Sequence, residues 1–145
     1  VYDANLNPLY SWGGKGNAPG MFIEPVGIAV DSNDRVYVAD TGNGRVQRFD
    51  REGHFDTEFR TLELVETEAA SGIEPYLDCL PDGRIAVTYS NESSVWILDP
   101  EKRTADPLKI IRPNLDKPIG VAADSTGHLW IGDIAAHKIA KVKIP

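Results

Sequence analysis

The chain has 145 residues, 41% of them hydrophobic, with 15 Lys+Arg against 22 Asp+Glu for a net charge of -7. Such length and apolar content describe one ordinary globular domain, while the acidic balance disfavours a phosphate backbone or an anionic membrane surface as partner. Cys79 is the single cysteine, which excludes an internal disulfide framework, and no stretch reaches the roughly 18 consecutive apolar residues of a membrane helix or the basic-then-apolar order of a secretion signal.

In chain order, Val1-Tyr2-Asp3 reads as the close of one strand and Leu9-Tyr10-Ser11-Trp12 as a following outer strand. Next, Gly13-Gly14-Lys15-Gly16-Asn17-Ala18-Pro19-Gly20 invites a phosphate-loop reading. It fails on context, because a phosphate loop places Ser or Thr after the lysine and opens a helix, whereas Gly16 follows here and a strand comes next. A connecting loop is the expectation. Then Pro25-Val26-Gly27-Ile28-Ala29-Val30-Asp31, a Ser32-Asn33-Asp34 turn, Val36-Tyr37-Val38-Ala39-Asp40, a second turn and Arg45-Val46-Gln47-Arg48-Phe49-Asp50 predict three strands. A weaker fourth follows at His54-Phe55-Asp56-Thr57-Glu58-Phe59.

The same succession returns twice. Pro75-Tyr76-Leu77-Asp78-Cys79-Leu80-Pro81 leads through Asp82-Gly83 to Ile85-Ala86-Val87-Thr88-Tyr89 and Ser94-Val95-Trp96-Ile97-Leu98-Asp99, with Leu108-Lys109-Ile110-Ile111 as a fourth strand. Pro118-Ile119-Gly120-Val121-Ala122-Ala123-Asp124 leads through Ser125-Thr126-Gly127 to Leu129-Trp130-Ile131-Gly132-Asp133 and Lys138-Ile139-Ala140-Lys141-Val142-Lys143. The three opening prolines lie 50 and 43 residues apart. Leu64 to Ala70 is the one stretch able to hold a helical turn, and an inter-blade loop explains it as well.

Four short strands per period of this size is the arithmetic of a β-propeller blade. A β-sandwich is the alternative all-β fold, but it gives no reason for a recurring Pro-x-Gly opening. The first unit, from Gly20-Met21-Phe22 through Pro25-x-Gly27, Val36 to Asp40, Thr41-Gly42-Asn43-Gly44-Arg45-Val46 and on to Phe49-Asp50, resembles the NHL repeat almost position by position. The third unit resembles it moderately, without the asparagine and arginine of the second turn. The middle unit departs most, with Leu77 for glycine and Asp78 for an aliphatic residue. The resemblance implies an all-β NHL-type β-propeller segment of about three blades. Residues 1–20 close a preceding blade and its loop, 21–70 and 71–113 are blades, and 114–145 is a blade lacking its outer strand. Since propellers close with typically four to eight blades, further blades are expected. They would come from the same protein, another fragment or a second copy joined head to tail, and a ring of about six is usual for the family.

Read residue by residue, the pattern gives structural roles. Gly27 and Gly120 keep inner strands slim, Asp40 and Asp133 bond turn amides, and Asn43-Gly44 supplies a hairpin turn with positive backbone angles. Arg35, Arg45 and Arg48 form the single candidate basic grouping, for which solvated strand faces are the better reading. Cys79, in an apolar run, reads as an inert buried thiol. His54, His128 and His137 read as surface residues, and Asn91-Glu92-Ser93 is a glycosylation sequon in a turn.

The functional candidates are polar groups that break the repeat where strands meet the central channel: Glu24 and Glu74 before their prolines, Lys117 at the third such position, and Tyr76 beside Asp78 on the middle inner strand. A buried unpaired carboxylate costs several kcal/mol, so Asp78 should face the water-filled channel, pair with a cation or bind a metal, calcium being the hard cation suited to such oxygens. The expected function is a non-catalytic module presenting a propeller face to a protein or small ligand, with Trp12, Tyr89, Trp96 and Trp130 as possible contributors. The alternative is part of a metal-dependent hydrolase or lyase, lactonase-like or amidating-lyase-like. Resemblance to the amidating lyases implies a metal-binding histidine directly after the blade proline, where this chain has Val26, Tyr76 and Ile119. Compartment stays open between intracellular and extracytoplasmic or secreted settings, the latter favoured.

Overall fold

A computed structural model describes residues 1–60, 75–102, 109–112 and 114–144. It contains eleven strands: β1 (Pro25–Val30), β2 (Val36–Asp40), β3 (Arg45–Phe49), β4 (Phe55–Arg60), β5 (Leu77–Cys79), β6 (Ile85–Tyr89), β7 (Ser94–Leu98), β8 (Lys109–Ile111), β9 (Pro118–Ala123), β10 (His128–Asp133) and β11 (Lys138–Lys143). They form three antiparallel meanders, β1-β2-β3-β4, β5-β6-β7-β8 and β9-β10-β11, each opened by one of the recurring segments. These are three propeller blades. Leu64 to Ala70 and Glu74 lie outside the described residues, and among those described no helix is long and apolar enough to cross a membrane.

Proline shapes each opening strand. Because it has no N–H to donate to a ladder, it belongs at a strand's first residue or beside a bulge. Accordingly the registers Pro25↔Asp40 and Pro118↔Asp133 are each followed by a shift, before Ile28↔Val38 and Gly132↔Gly120. The second turn takes one repeated form: a 3-10 turn, Thr41–Asn43 or Ser90–Glu92, ends on a left-handed residue, Gly44 at φ 62° or Ser93 at φ 52°. His137 adopts φ 52° at the matching place in the third blade. The expected Asn43-Gly44 hairpin is thereby corrected, since Gly44 alone carries a positive angle.

Blades pack face to face through two apolar layers. Between the first and second blades lie Tyr37, Ala39, Val46 and Phe59 against Ile85, Val87, Tyr89, Trp96 and Leu98, with the Tyr89 and Trp96 rings stacked at 4.2 Å. Between the second and third lie Ala86, Val95, Ile97 and Ile111 against Leu129 and Ile131. Middle strands covered on both sides lose the alternation of a half-buried strand, and β2, β3, β6 and β7 are buried at every residue.

Where inner strands converge, Gly27 is required. A Cβ there would stand 2.5 Å from the Pro75 carbonyl oxygen, whereas one at Gly120 would meet nothing within 4 Å. The segment expected as an outer strand, Leu9-Tyr10-Ser11-Trp12, meets Val1-Tyr2 through the single antiparallel bridge Tyr2↔Pro8, with the Leu9 N–H donating to the Val1 carbonyl at 2.9 Å, and does not extend into a ladder. It lies over the first blade instead, with the Tyr10 hydroxyl donating to the Arg51 carbonyl at 2.5 Å and Trp12 against Phe49 at 5.8 Å between ring centroids.

Candidate functional site

The strand-opening positions mark one rim of the blades. Glu24 stands there exposed, in a left-handed conformation at φ 51°. Tyr76 is 38% exposed, and its backbone is tied to Thr88, whose N–H donates to the Tyr76 carbonyl at 2.9 Å while Thr88 Oγ1 accepts from the Tyr76 N–H at 2.9 Å. Lys117 is half-buried. Its own N–H donates to Asp133 at 2.9 Å and its carbonyl accepts from Ile134 at 3.1 Å.

The strand-ending aspartates hold this rim. Asp133, 2% exposed, accepts the amides of Asp116, Lys117 and Ala136 at 2.7, 2.9 and 3.1 Å. Burial alone would raise its pKa, but those three backbone donors outweigh it and hold the carboxyl below the usual range. Asp40, fully buried, accepts the Ile23 amide at 2.7 Å through one oxygen. The other receives Asn43, Arg45 and Gln47 at 2.8, 2.8 and 3.0 Å. Arg45 and Gln47 in turn donate to the Met21 carbonyl at 2.9 and 2.8 Å, so the glycine-rich loop is pinned to the blade by its own strand residues. A phosphate-binding role for that loop finds no helix after it.

Asp78 has a use that the sequence did not suggest. One oxygen accepts the N–H of Cys79 at 2.9 Å and the other that of Ala123 at 2.7 Å, which straps the middle inner strand to the third. Both oxygens are thus engaged by backbone, and among the described residues no three His, Cys, Asp or Glu side chains gather to hold a metal. Burial pushes the neighbouring Cys79 thiol up to about 12, as expected of an inert thiol and not of a nucleophile.

The basic grouping dissolves into ion pairs. Arg45 is 3% and Arg48 8% exposed, which corrects the reading as solvated strand faces. Arg45 bridges Asp40 and Glu58 at 2.8 and 2.6 Å. Arg48 takes Asp56 at 2.5 Å and Glu101 at 2.8 Å, and Arg35 takes Asp31 at 2.7 Å and the same Glu101 oxygen at 2.8 Å. Asp31 also accepts from the Tyr37 hydroxyl at 3.2 Å. Burial pushes that phenol up to about 12. Glu101, reaching from the second blade, closes the cluster of the first. It was missed in the sequence, although the shared Asp50-x-Glu52 and Asp99-x-Glu101 spacing carries the signal.

On its other side the first blade keeps a shallow hollow of about 520 Å³, lined by Trp12, Phe22, Val26, Ile28 and Val38. The exposed alternate residues of β1, Val26, Ile28 and Val30, edge it.

Comparison with known proteins fits this architecture. The family model for the NHL repeat matches residues 22–49, the span running from the rim through β3. The chain belongs to the NHL-repeat family. Over 141 residues it is 32% identical to the E3 ubiquitin-protein ligase TRIM32 of Homo sapiens, a match taking in 90% of this chain and 21% of that protein. Over 52 residues it is 44% identical to Protein lin-41 of Caenorhabditis elegans, covering 36% of this chain and 4% of that one. The NHL chain therefore spans about a fifth or less of the length of these curated relatives. Among solved structures, a streptogramin B lyase superposes with a TM-score of 0.58 at 17% identity, over 83% of this chain and 41% of the other. A luciferin-regenerating enzyme superposes at 0.57 and 13% identity, over 77% and 38%. At such identities the likeness is one of fold, and it establishes the NHL blades as part of a β-propeller.

Proposed function

We propose that this chain is a non-catalytic protein-binding module that grips its partner at the rim bearing Glu24, Tyr76 and Lys117. The observation that carries the reading is the engagement of its chemistry-bearing groups in architecture. Asp40, Asp78 and Asp133 bond backbone amides, Arg45 and Arg48 are paired internally, and the Cys79 thiol is held protonated. The strand-opening positions of the three blades carry an exposed aromatic and residues of opposite charge, the composition of a recognition surface and not of a reactive centre. The match to about a fifth of an E3 ubiquitin-protein ligase supports a module that works within a larger assembly.

Selection of a displayed random peptide library on the immobilised chain tests this. Peptides should be enriched on the wild type, and a variant combining Glu24→Arg, Tyr76→Ala and Lys117→Glu should bind them at least ~10-fold more weakly by calorimetry, about 1.4 kcal/mol. No enrichment, or equal binding by wild type and variant, would reject the rim as a binding surface.

A further inference from the structure

We infer that the rim grips an extended peptide at the junction of the first and second blades, with the Thr41 hydroxyl donating a hydrogen bond to one of its backbone carbonyls, a reading that rests on the binding function proposed above and deepens it.

The junction of the second and third blades supplies the template. Ser90 opens the 3-10 turn after β6. It is 7% exposed, and its hydroxyl donates across the junction to the Pro118 carbonyl at 2.5 Å. Ser93, which ends that turn, donates to the Asp116 carbonyl at 2.7 Å, and Asp78 accepts the Ala123 amide at 2.7 Å. Three side chains of the second blade thus hold the backbone that leads into β9 and runs along it.

At the junction of the first and second blades none of these straps has a counterpart. Thr41 opens the matching turn after β2 and is 5% exposed, yet among the described residues its Oγ1 has no hydrogen-bond partner. Gly44 stands in the place of Ser93 with no side chain to offer. By strand register Ala29, opposite Tyr37, stands in the place of Asp78, opposite Ala86. The Pro75 carbonyl, counterpart of that of Pro118, lies against Gly27 instead. A buried hydroxyl left without a partner costs free energy that a new bond recovers, and Ser90 shows what this position takes: a backbone carbonyl arriving from outside its own blade. The first two blades are clasped at the opposite end of their strands, where one oxygen of Glu101 takes Arg35 and Arg48 at 2.8 Å each. That end is the hinge, and the unstrapped rim end parts to admit the peptide backbone. Glu24 and Tyr76 stand beside it, at the openings of the first and second inner strands.

Urea unfolding, and calorimetry with the peptides enriched on the wild-type chain, decide it. Thr41→Val keeps the side-chain shape and removes the hydroxyl. It should leave the urea midpoint unchanged or higher, while Ser90→Ala, which breaks a bond already made, should lower it. The same Thr41→Val variant should bind the peptides ~10-fold more weakly, the worth of one buried hydrogen bond, and Thr41→Ser should bind them as the wild type does. Peptides that lose affinity for the variant combining Glu24→Arg, Tyr76→Ala and Lys117→Glu, but not for Thr41→Val, would leave the rim a binding surface and overturn the Thr41 contact. A lowered midpoint for Thr41→Val would overturn it as well, since the hydroxyl would then be bonded within the chain. Failure to enrich any peptide would remove both readings together.

Discussion

Replacing Asp40 with asparagine removes one oxygen and one negative charge from a fully buried site. The lost oxygen is either the acceptor of the Ile23 amide at 2.7 Å or the acceptor shared by Asn43, Arg45 and Gln47. In either orientation the new amide N–H₂ faces donors. Arg45, with a side chain 4% exposed, keeps the Ala18 and Met21 carbonyls but loses a buried carboxylate, leaving it paired to Glu58, whose side chain is 28% exposed. Breaking a buried pair from one side costs about 3–5 kcal/mol, a large part of the roughly 5–15 kcal/mol that holds a domain. Urea unfolding followed by tryptophan fluorescence should show the midpoint fall with little change in slope, and hydrogen exchange should show the Ile23 amide losing protection first. Asn43→Ala, which removes one neutral donor, should cost about 1 kcal/mol and gives a graded second point should Asp40→Asn not fold. A loss below about 1 kcal/mol for Asp40→Asn would refute the assignment of this carboxylate as the anchor of loop and blade.

Gly27→Ala should destabilise by about 1–3 kcal/mol, the usual cost of overpacking, because a Cβ placed 2.5 Å from the Pro75 oxygen has to recover a contact that is ordinary only from 3.4 Å; an unchanged urea midpoint would show that the inner strands part freely. Stability should fall in acid, and the sign follows from Asp31 and Asp133, whose folded pKa values lie below 3.8. For Asp31, burial raises the pKa but hydrogen bonds from Arg35 and Asn33 outweigh it. The unfolded chain thus binds these protons first, so the contribution is complete above the unfolded value and drains as pH drops through the folded ones. Urea midpoints measured downward from about pH 6 should decline most steeply below 3.8, and Asp133→Asn should flatten part of that decline. Cys79, its thiol pushed up to about 12, should resist iodoacetamide at neutral pH until urea unfolds the chain; rapid alkylation of the native protein would contradict the burial.

The sequence reveals the fold to the extent that the fold is repetition. Pro25, Pro75 and Pro118 mark the three sheets, and the residue types between them place nearly every strand. It leaves Asp78 ambiguous, because a lone polar residue on an apolar strand announces a need for partners without naming them. The partner is a backbone amide 45 positions away, and amides carry no sequence signature. The three arginines mislead in the opposite direction. Their charge is visible in the chain, while Asp56, Glu58 and Glu101, which neutralise them, become neighbours only when strands pair and blades stack. Leu9-Tyr10-Ser11-Trp12 shows a third limit, since its strand character yields the single bridge Tyr2↔Pro8 and not a ladder.

The middle sheet contributes residues to both apolar layers, while the outer two meet it from opposite sides. Cooperativity along the chain therefore runs through that one sheet. A lesion at Tyr89 or Trp96 loosens the sheet's grip on the first blade, and one at Ala86 or Ile97 its grip on the third, so damage at a given position has a direction. Native-state exchange should resolve the two outer blades as separately opening units hinged on a common centre.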